Sequence, residues 1–90
     1  MADVIWTDEA LDQLDLIVSY VGVFDATAAE RLRRRLFILA RSLSVFPDRG
    51  RPLPGGRREL VTVSPYLLRY RVIGDTIAIL SVRHGARRPD

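Results

Sequence analysis

The feature that most constrains this chain is a change in hydrophobic period. From residue 10 to residue 43, apolar side chains recur every three or four positions, the spacing of one helix face. After residue 56 they alternate with polar ones, the spacing of a strand. A helical block followed by a strand block, with a short strand candidate ahead of both, specifies the α+β class.

Each block carries its own punctuation. Residues 3–7 (DVIWT) contain Val4, Ile5 and Trp6, all good strand formers. Thr7-Asp8-Glu9 reads as an N-cap followed by acids in a first helical turn. Ala10, Leu11, Leu14, Ile17, Val18 and Val21 then form an apolar stripe. Gly22 and Phe24-Asp25 end this helix, and Asp25 caps a second one. The second stripe is Ala28, Leu32, Leu36, Leu39, Ala40 and Leu43, stopped by Pro47. So short a link predicts an antiparallel helical hairpin. Segment 47–56 (PDRGRPLPGG) holds three prolines and three glycines and reads as a loop. Beyond it, 58–63 reads as a strand, Ser64-Pro65 as a turn, and 66–73 and 76–83 as two further strands. Gly74-Asp75 is a two-residue hairpin signal, with glycine supplying the positive φ. The expected architecture is β-α-α-β-β-β, a helical hairpin packed on one face of a small antiparallel sheet, in one domain over 1–90.

Composition narrows the functions open to such a domain. At 90 residues a chain buries only about 60–65% of the surface its unfolded form exposes, so a stabilising partner is in keeping with its size. There is no cysteine and one histidine. Disulfides, thiol nucleophiles and clustered metal ligands are therefore excluded, and no cofactor is expected. No apolar run is long enough to cross a membrane. Met1-Ala2-Asp3 does not begin a signal peptide, so the expected location is the cytoplasm. All 14 cations are arginine, and asparagine is absent along with lysine; a GC-rich genome accounts for that bias. The net charge of +3 and a pI near 10.2 favour acidic partners.

The hairpin at Gly74-Asp75 sets a register in which Ile73 faces Thr76 and strict alternation continues outward. One face then carries Leu68, Tyr70 and Val72 beside Ile77 and Ile79, and must receive the helices. The other carries Leu67, Arg69 and Arg71 beside Ala78, Leu80 and Val82, with His84 at its end. A pair of guanidiniums on an open face suits phosphate or carboxylate, since each offers a planar fork of donors. Solubility alone would also explain the arginines, but Leu67, Leu80 and Val82 leave apolar surface that a partner would cover. Arg83 falls on the opposite face unless the strand bulges.

These residues resemble a known family. Arg58-Glu59-Leu60-Val61, Tyr66-Leu67-Leu68-Arg69-Tyr70-Arg71-Val72 and Val82-Arg83-His84-Gly85-Ala86-Arg87 look like the ParE/RelE superfamily of type II toxins. So do Trp6 before the first helix, Asp25-Ala26-Thr27-Ala28-Ala29 opening the second, and Phe46-Pro47 followed by Gly50-Arg51-Pro52. The resemblance covers nearly the whole chain in order. It implies a toxin neutralised by a cognate antitoxin, in a toxin–antitoxin hetero-oligomer, with a role in plasmid stabilisation. It also implies one of two targets. ParE-like members inhibit DNA gyrase; RelE-like members cleave mRNA on the ribosome. Cleavage needs a group to orient or deprotonate the ribose hydroxyl, a cation for the phosphate and an acid for the leaving oxygen. Arg69, Arg71, Arg83 and His84 are the candidates for that set. No tyrosine follows Tyr70, however, and Tyr70 itself is expected in the core. The His-Gly-Ala-Arg ending is more ParE-like, so gyrase inhibition is the first expectation, mRNA cleavage the second and a non-toxic binding module the third.

Other residues have two readings. His84 is either an acid–base group or a strand-end histidine bonded to backbone. Phe37 falls outside the leucine stripe, which suits a surface for the antitoxin or a second copy, or packing beneath the 47–56 loop. Arg31, Arg33, Arg34 and Arg35 fan around a helix and read as a solvated face. Trp6 reads as core, and Arg49 and Arg51 lie on a loop of the kind that carries binding residues.

Overall fold

The computed structural model describes residues 2–61 and 65–85. Strand β1 (Asp3–Trp6) leads into helix α1 (Asp8–Phe24) and helix α2 (Ala26–Ser42). Strands β2 (Arg51–Pro52), β3 (Arg57–Val61), β4 (Tyr66–Ile73) and β5 (Thr76–His84) follow. Both predicted caps form. The Thr7 side chain accepts from the Ala10 N–H, and the Asp25 side chain from the Ala28 N–H, satisfying donors that a helix start leaves open.

The sheet has five strands in the order β1-β5-β4-β3-β2. It is mixed rather than antiparallel, because β1 runs parallel to β5, with Val4 beside Ile77 and Trp6 beside Ile79. Both helices and strands β2 to β4 intervene, far more chain than a parallel pair requires for its crossover. The 47–56 segment is also more ordered than a plain loop. Arg51 and Pro52 pair with Glu59 and Arg58 at the sheet edge, where proline's missing N–H is tolerated. The Leu53 N–H donates to the Arg57 carbonyl at 2.8 Å, and Gly55 and Gly56, at φ of 82° and 78°, turn the chain between them. The expected residues Val63 and Ser64, and the tail from Ala86 onward, lie outside the described residues.

The helices cover one face only. Leu68, Tyr70, Ile77 and Ile79 are fully buried beneath them, as alternation from the hairpin predicts, while Val72 remains partly exposed. A second cluster joins Leu14, Val18, Leu32 and Leu36 of the helices to Val82 of the sheet. Trp6 packs against both clusters, with the Phe37 ring tilted against it at 4.9 Å between ring centres. Phe37 is thus half-buried against β1, not packed beneath the 47–56 loop.

One irregularity decides the position of the candidate site. From Ile73–Thr76 to Tyr70–Ile79, the β4–β5 register follows the hairpin. Then Arg69 pairs with Ser81, so Leu80 is an extra residue on β5. This β-bulge reverses the facing of everything beyond it. Val82 comes to lie beside Leu68 and is buried under the helices, at 3% exposure. Its predicted place on the open face is therefore wrong. The bulge falls where β1 ends and β5 loses its parallel neighbour. There α1 takes over: Thr7 Oγ1 donates to the Ile79 carbonyl, and Gln13 Oε1 accepts the Val82 N–H at 2.8 Å. Burying Val82 against Leu14 and Leu36 favours this arrangement by about 2 kcal/mol over leaving it in water.

Candidate functional site

The face left uncovered is built from rows of side chains running across three strands. Arg57, Arg71 and Ala78 are register neighbours on β3, β4 and β5. Glu59, Arg69 and Ser81 form the next row, and Val61, Leu67 and Arg83 the one after. Arg83 belongs here because of the bulge; uninterrupted alternation would have put it beneath the helices. Arg51 reaches in from β2.

Glu59 organises the centre of this face. It is 4% exposed, and its two carboxylate oxygens are taken by different arginines. Arg51 Nη2 donates to Oε1 at 2.6 Å and Arg69 Nε to Oε2 at 2.9 Å. Burial pushes the carboxyl up, but the hydrogen bonds and charges of Arg69 and Arg51 outweigh it and hold the group below its ordinary range. Glu59 therefore favours its anionic form, with each oxygen held by one arginine. Its neighbours gain rigid positions from it.

The outer arginines are held more loosely. Arg57 Nε donates to the Pro54 carbonyl at 3.2 Å. Arg71 and Arg83 have no hydrogen-bond or ion-pair partner among the described residues. Arg71 lies beside Arg57 in register. Arg57 and Arg83, with Arg51, Arg69, Glu59 and His84, line a cationic groove walled by Leu53, Pro54 and Leu67. Glu9, from the first turn of α1, stands at its border beside Leu80 and Ser81.

The structure therefore brings Arg69, Arg71 and Arg83 to one face with Leu67 and Leu80, removes Val82 from it, and leaves His84 at the end of the groove, between the two faces. His84 pairs with Tyr66 in register, and its ring meets the Tyr66 ring edge-on at 5.5 Å. The bulge changes the register of His84, but its position at the strand end still lines the groove with Arg69 and Arg83. Tyr70 is unavailable for chemistry on this face. It is fully buried, donating to the Pro47 carbonyl at 2.7 Å and accepting the Gly50 N–H at 2.8 Å. Sequence reasoning missed Arg57 and the Arg51–Glu59–Arg69 bridge. Extending alternation back from Glu59 would have found Arg57, whereas the bridge depends on β2 joining the sheet.

The 31–35 arginines are as predicted a solvated helix face, with Arg33 and Arg34 near Glu30 and Arg33 near Asp15. No helix among the described residues is long and apolar enough to cross a membrane.

Comparison with known proteins agrees with this architecture. The family model of the ParE toxin of the type II toxin–antitoxin system parDE matches residues 4–89. A protein called Toxin RelE2 from Caulobacter vibrioides is 45% identical over 87 residues, spanning 97% of this chain and 99% of the relative. A putative toxin, Y4kP, of Sinorhizobium fredii is 39% identical over 84 residues, covering 88% of this chain and 83% of the relative. Among solved structures, a chain of the chromosomal ParDE toxin–antitoxin system from P. aeruginosa superposes with a TM-score of 0.82 at 26% identity. It covers 93% of this chain and 96% of its own. The helical hairpin, the five-stranded sheet and the match along nearly the whole sequence place the chain in the ParE toxin family of type II toxin–antitoxin systems.

Proposed function

We propose that this toxin inhibits DNA gyrase, with its open arginine face at the contact, and that a cognate antitoxin neutralises it. The observation that carries the reading is the chemistry of that face. Its guanidiniums are positioned for anions, and the carboxylate at its centre is already committed to two of them. Glu59 is locked between two arginines, His84 stands at the groove's end with its ring edge-on to Tyr66, and Tyr70 is sealed in the core. Such a surface is suited to holding anions, and no tyrosine lines it to serve as a partner in proton transfer. The gyrase target places the protein in the cytoplasm.

An antitoxin partner is supported by the family and by the P. aeruginosa relative, whose name specifies a ParDE toxin–antitoxin system. The complementary antitoxin segment is acidic and folds on binding, over the sheet or the helical hairpin.

A second reading, ribosome-dependent mRNA cleavage, is favoured by the name of the Caulobacter relative, Toxin RelE2. Two assays of the purified chain separate the readings. Loss of supercoiling by gyrase with cellular mRNA intact supports inhibition of gyrase. Codon-positioned mRNA cuts that vanish in Arg83→Ala or His84→Ala refute it. Normal growth on expression with neither effect assigns the chain to a non-toxic binding module.

A further inference from the structure

The charges of this chain are divided in space. Residues 1–30 carry seven of the 11 acidic side chains and no arginine. Six of these acids, from Asp3 to Asp25, precede α2, and four of them stand on α1. The sheet face that the helices leave uncovered carries Arg51, Arg57, Arg69, Arg71 and Arg83 around a single buried carboxylate, with only Glu9 of α1 at its border. A separation of this kind orients the molecule in the field of a polyanion, arginine face inward.

The same face lacks the other element of single-strand recognition. Proteins that grip unpaired nucleic acid stack its bases on aromatic rings. None of the seven Trp, Tyr and Phe side chains lines the arginine groove. Trp6, Phe37, Tyr66 and Tyr70 all pack on the helix side. What remains is a set of guanidinium forks against aliphatic walls, suited to phosphate oxygens and to no base edge in particular.

We infer that the open face binds the phosphate backbone of duplex DNA, without sequence preference, through Arg57, Arg71 and Arg83. Arg69 and Arg51 contribute less, because Glu59 already holds them. The inference rests on the gyrase reading for its biological setting and names the component of the gyrase complex that this face touches. The toxin lies on DNA that the enzyme is handling, and inhibition is sensitive to salt in the same way as DNA binding.

The test is fluorescence anisotropy of the full chain on a labelled duplex of about 30 base pairs, titrated from low to physiological salt. Each phosphate neutralised contributes about 0.9 to the slope of log K against log salt, so three open arginines give a slope of about −3. The triple variant R57A/R71A/R83A should flatten the slope to about −1 or less, with its fold checked by circular dichroism. The control R31A/R34A/R35A, on the helix face, should leave it unchanged. Tighter binding to a single strand of the same length overturns the proposal. So does the helix-face control lowering the slope as much as the sheet-face variant, or no duplex binding at low salt. Supercoiling assays run alongside keep the two readings apart. Duplex binding without gyrase inhibition refutes the gyrase reading alone, and gyrase inhibition without duplex binding refutes this inference alone.

Discussion

On the helix side of the sheet, Leu68, Tyr70, Ile77 and Ile79 have no contact with water; on the open side the most buried side chain is the carboxylate of Glu59. The two faces share the same strands and differ in what holds each side chain in place. Beneath the helices, position comes from close packing, which is non-directional and tolerates no loss of volume. On the open face it comes from two charge-assisted hydrogen bonds, which are directional and leave the surrounding guanidiniums in contact with solvent. Stability should therefore reside on one face and recognition on the other.

Substitutions can break that division, and their expected effects fall in order. Leu36→Ala, at a fully buried position between α1 and the sheet, should cost about 2–5 kcal/mol, read as a large drop in the urea midpoint. If it costs less than Glu59→Gln, packing does not dominate the helix side.

Glu59→Gln should cost about 1–3 kcal/mol, since it leaves Arg51 and Arg69 without their anion. Its pH signature is more specific than its size. The folded Glu59 titrates below its ordinary value, so its contribution is complete above about pH 4.5 and is lost as pH falls through the folded value. Thermal melts between pH 6 and 3 should show a steeper acid decline for the parent chain than for Glu59→Gln. Parallel declines would remove Glu59 as the electrostatic centre of the open face.

Gln13→Ala tests the bulge that divides the faces. It strips the Val82 N–H of its acceptor, at an expected cost of about 1–2 kcal/mol. Hydrogen exchange at Val82 should accelerate more than at Ile77. Smallest of all, Arg71→Ala should shift stability by less than about 0.5 kcal/mol, while weakening toxicity in a growth assay. Equal toxicity at equal expression would show that the open face is not the working surface.

The sequence made much of this legible where the determinants are local. Thr7 and Asp25 cap their helices through their own neighbours, and Gly74-Asp75 sets the register as far as Tyr70. The departures come from contacts distant in the chain. The parallel pairing of β1 with β5 joins residues more than seventy positions apart, and no local propensity encodes it. The bulge at Leu80 arises because β1 stops at Trp6 and Gln13 reaches the exposed strand edge. That single extra residue brought Arg83 into the candidate site and took Val82 out of it. The Glu59 bridge was hidden for a related reason, because Arg51 lies in a segment rich in proline and glycine whose pairing depends on β3.

The union of β1 with β5 also has a bearing on how the protein is made. The first strand has no partner in the sheet until Thr76–Ile79 have been synthesised, and β4 lacks one of its two neighbours until the same moment. Pairing across such a separation completes late in folding. An interrupted polypeptide, whatever its length short of the last strand, has neither Arg83 in place nor a closed core beneath it. The last strand to leave the ribosome is thus the one that joins both ends of the chain into a single sheet.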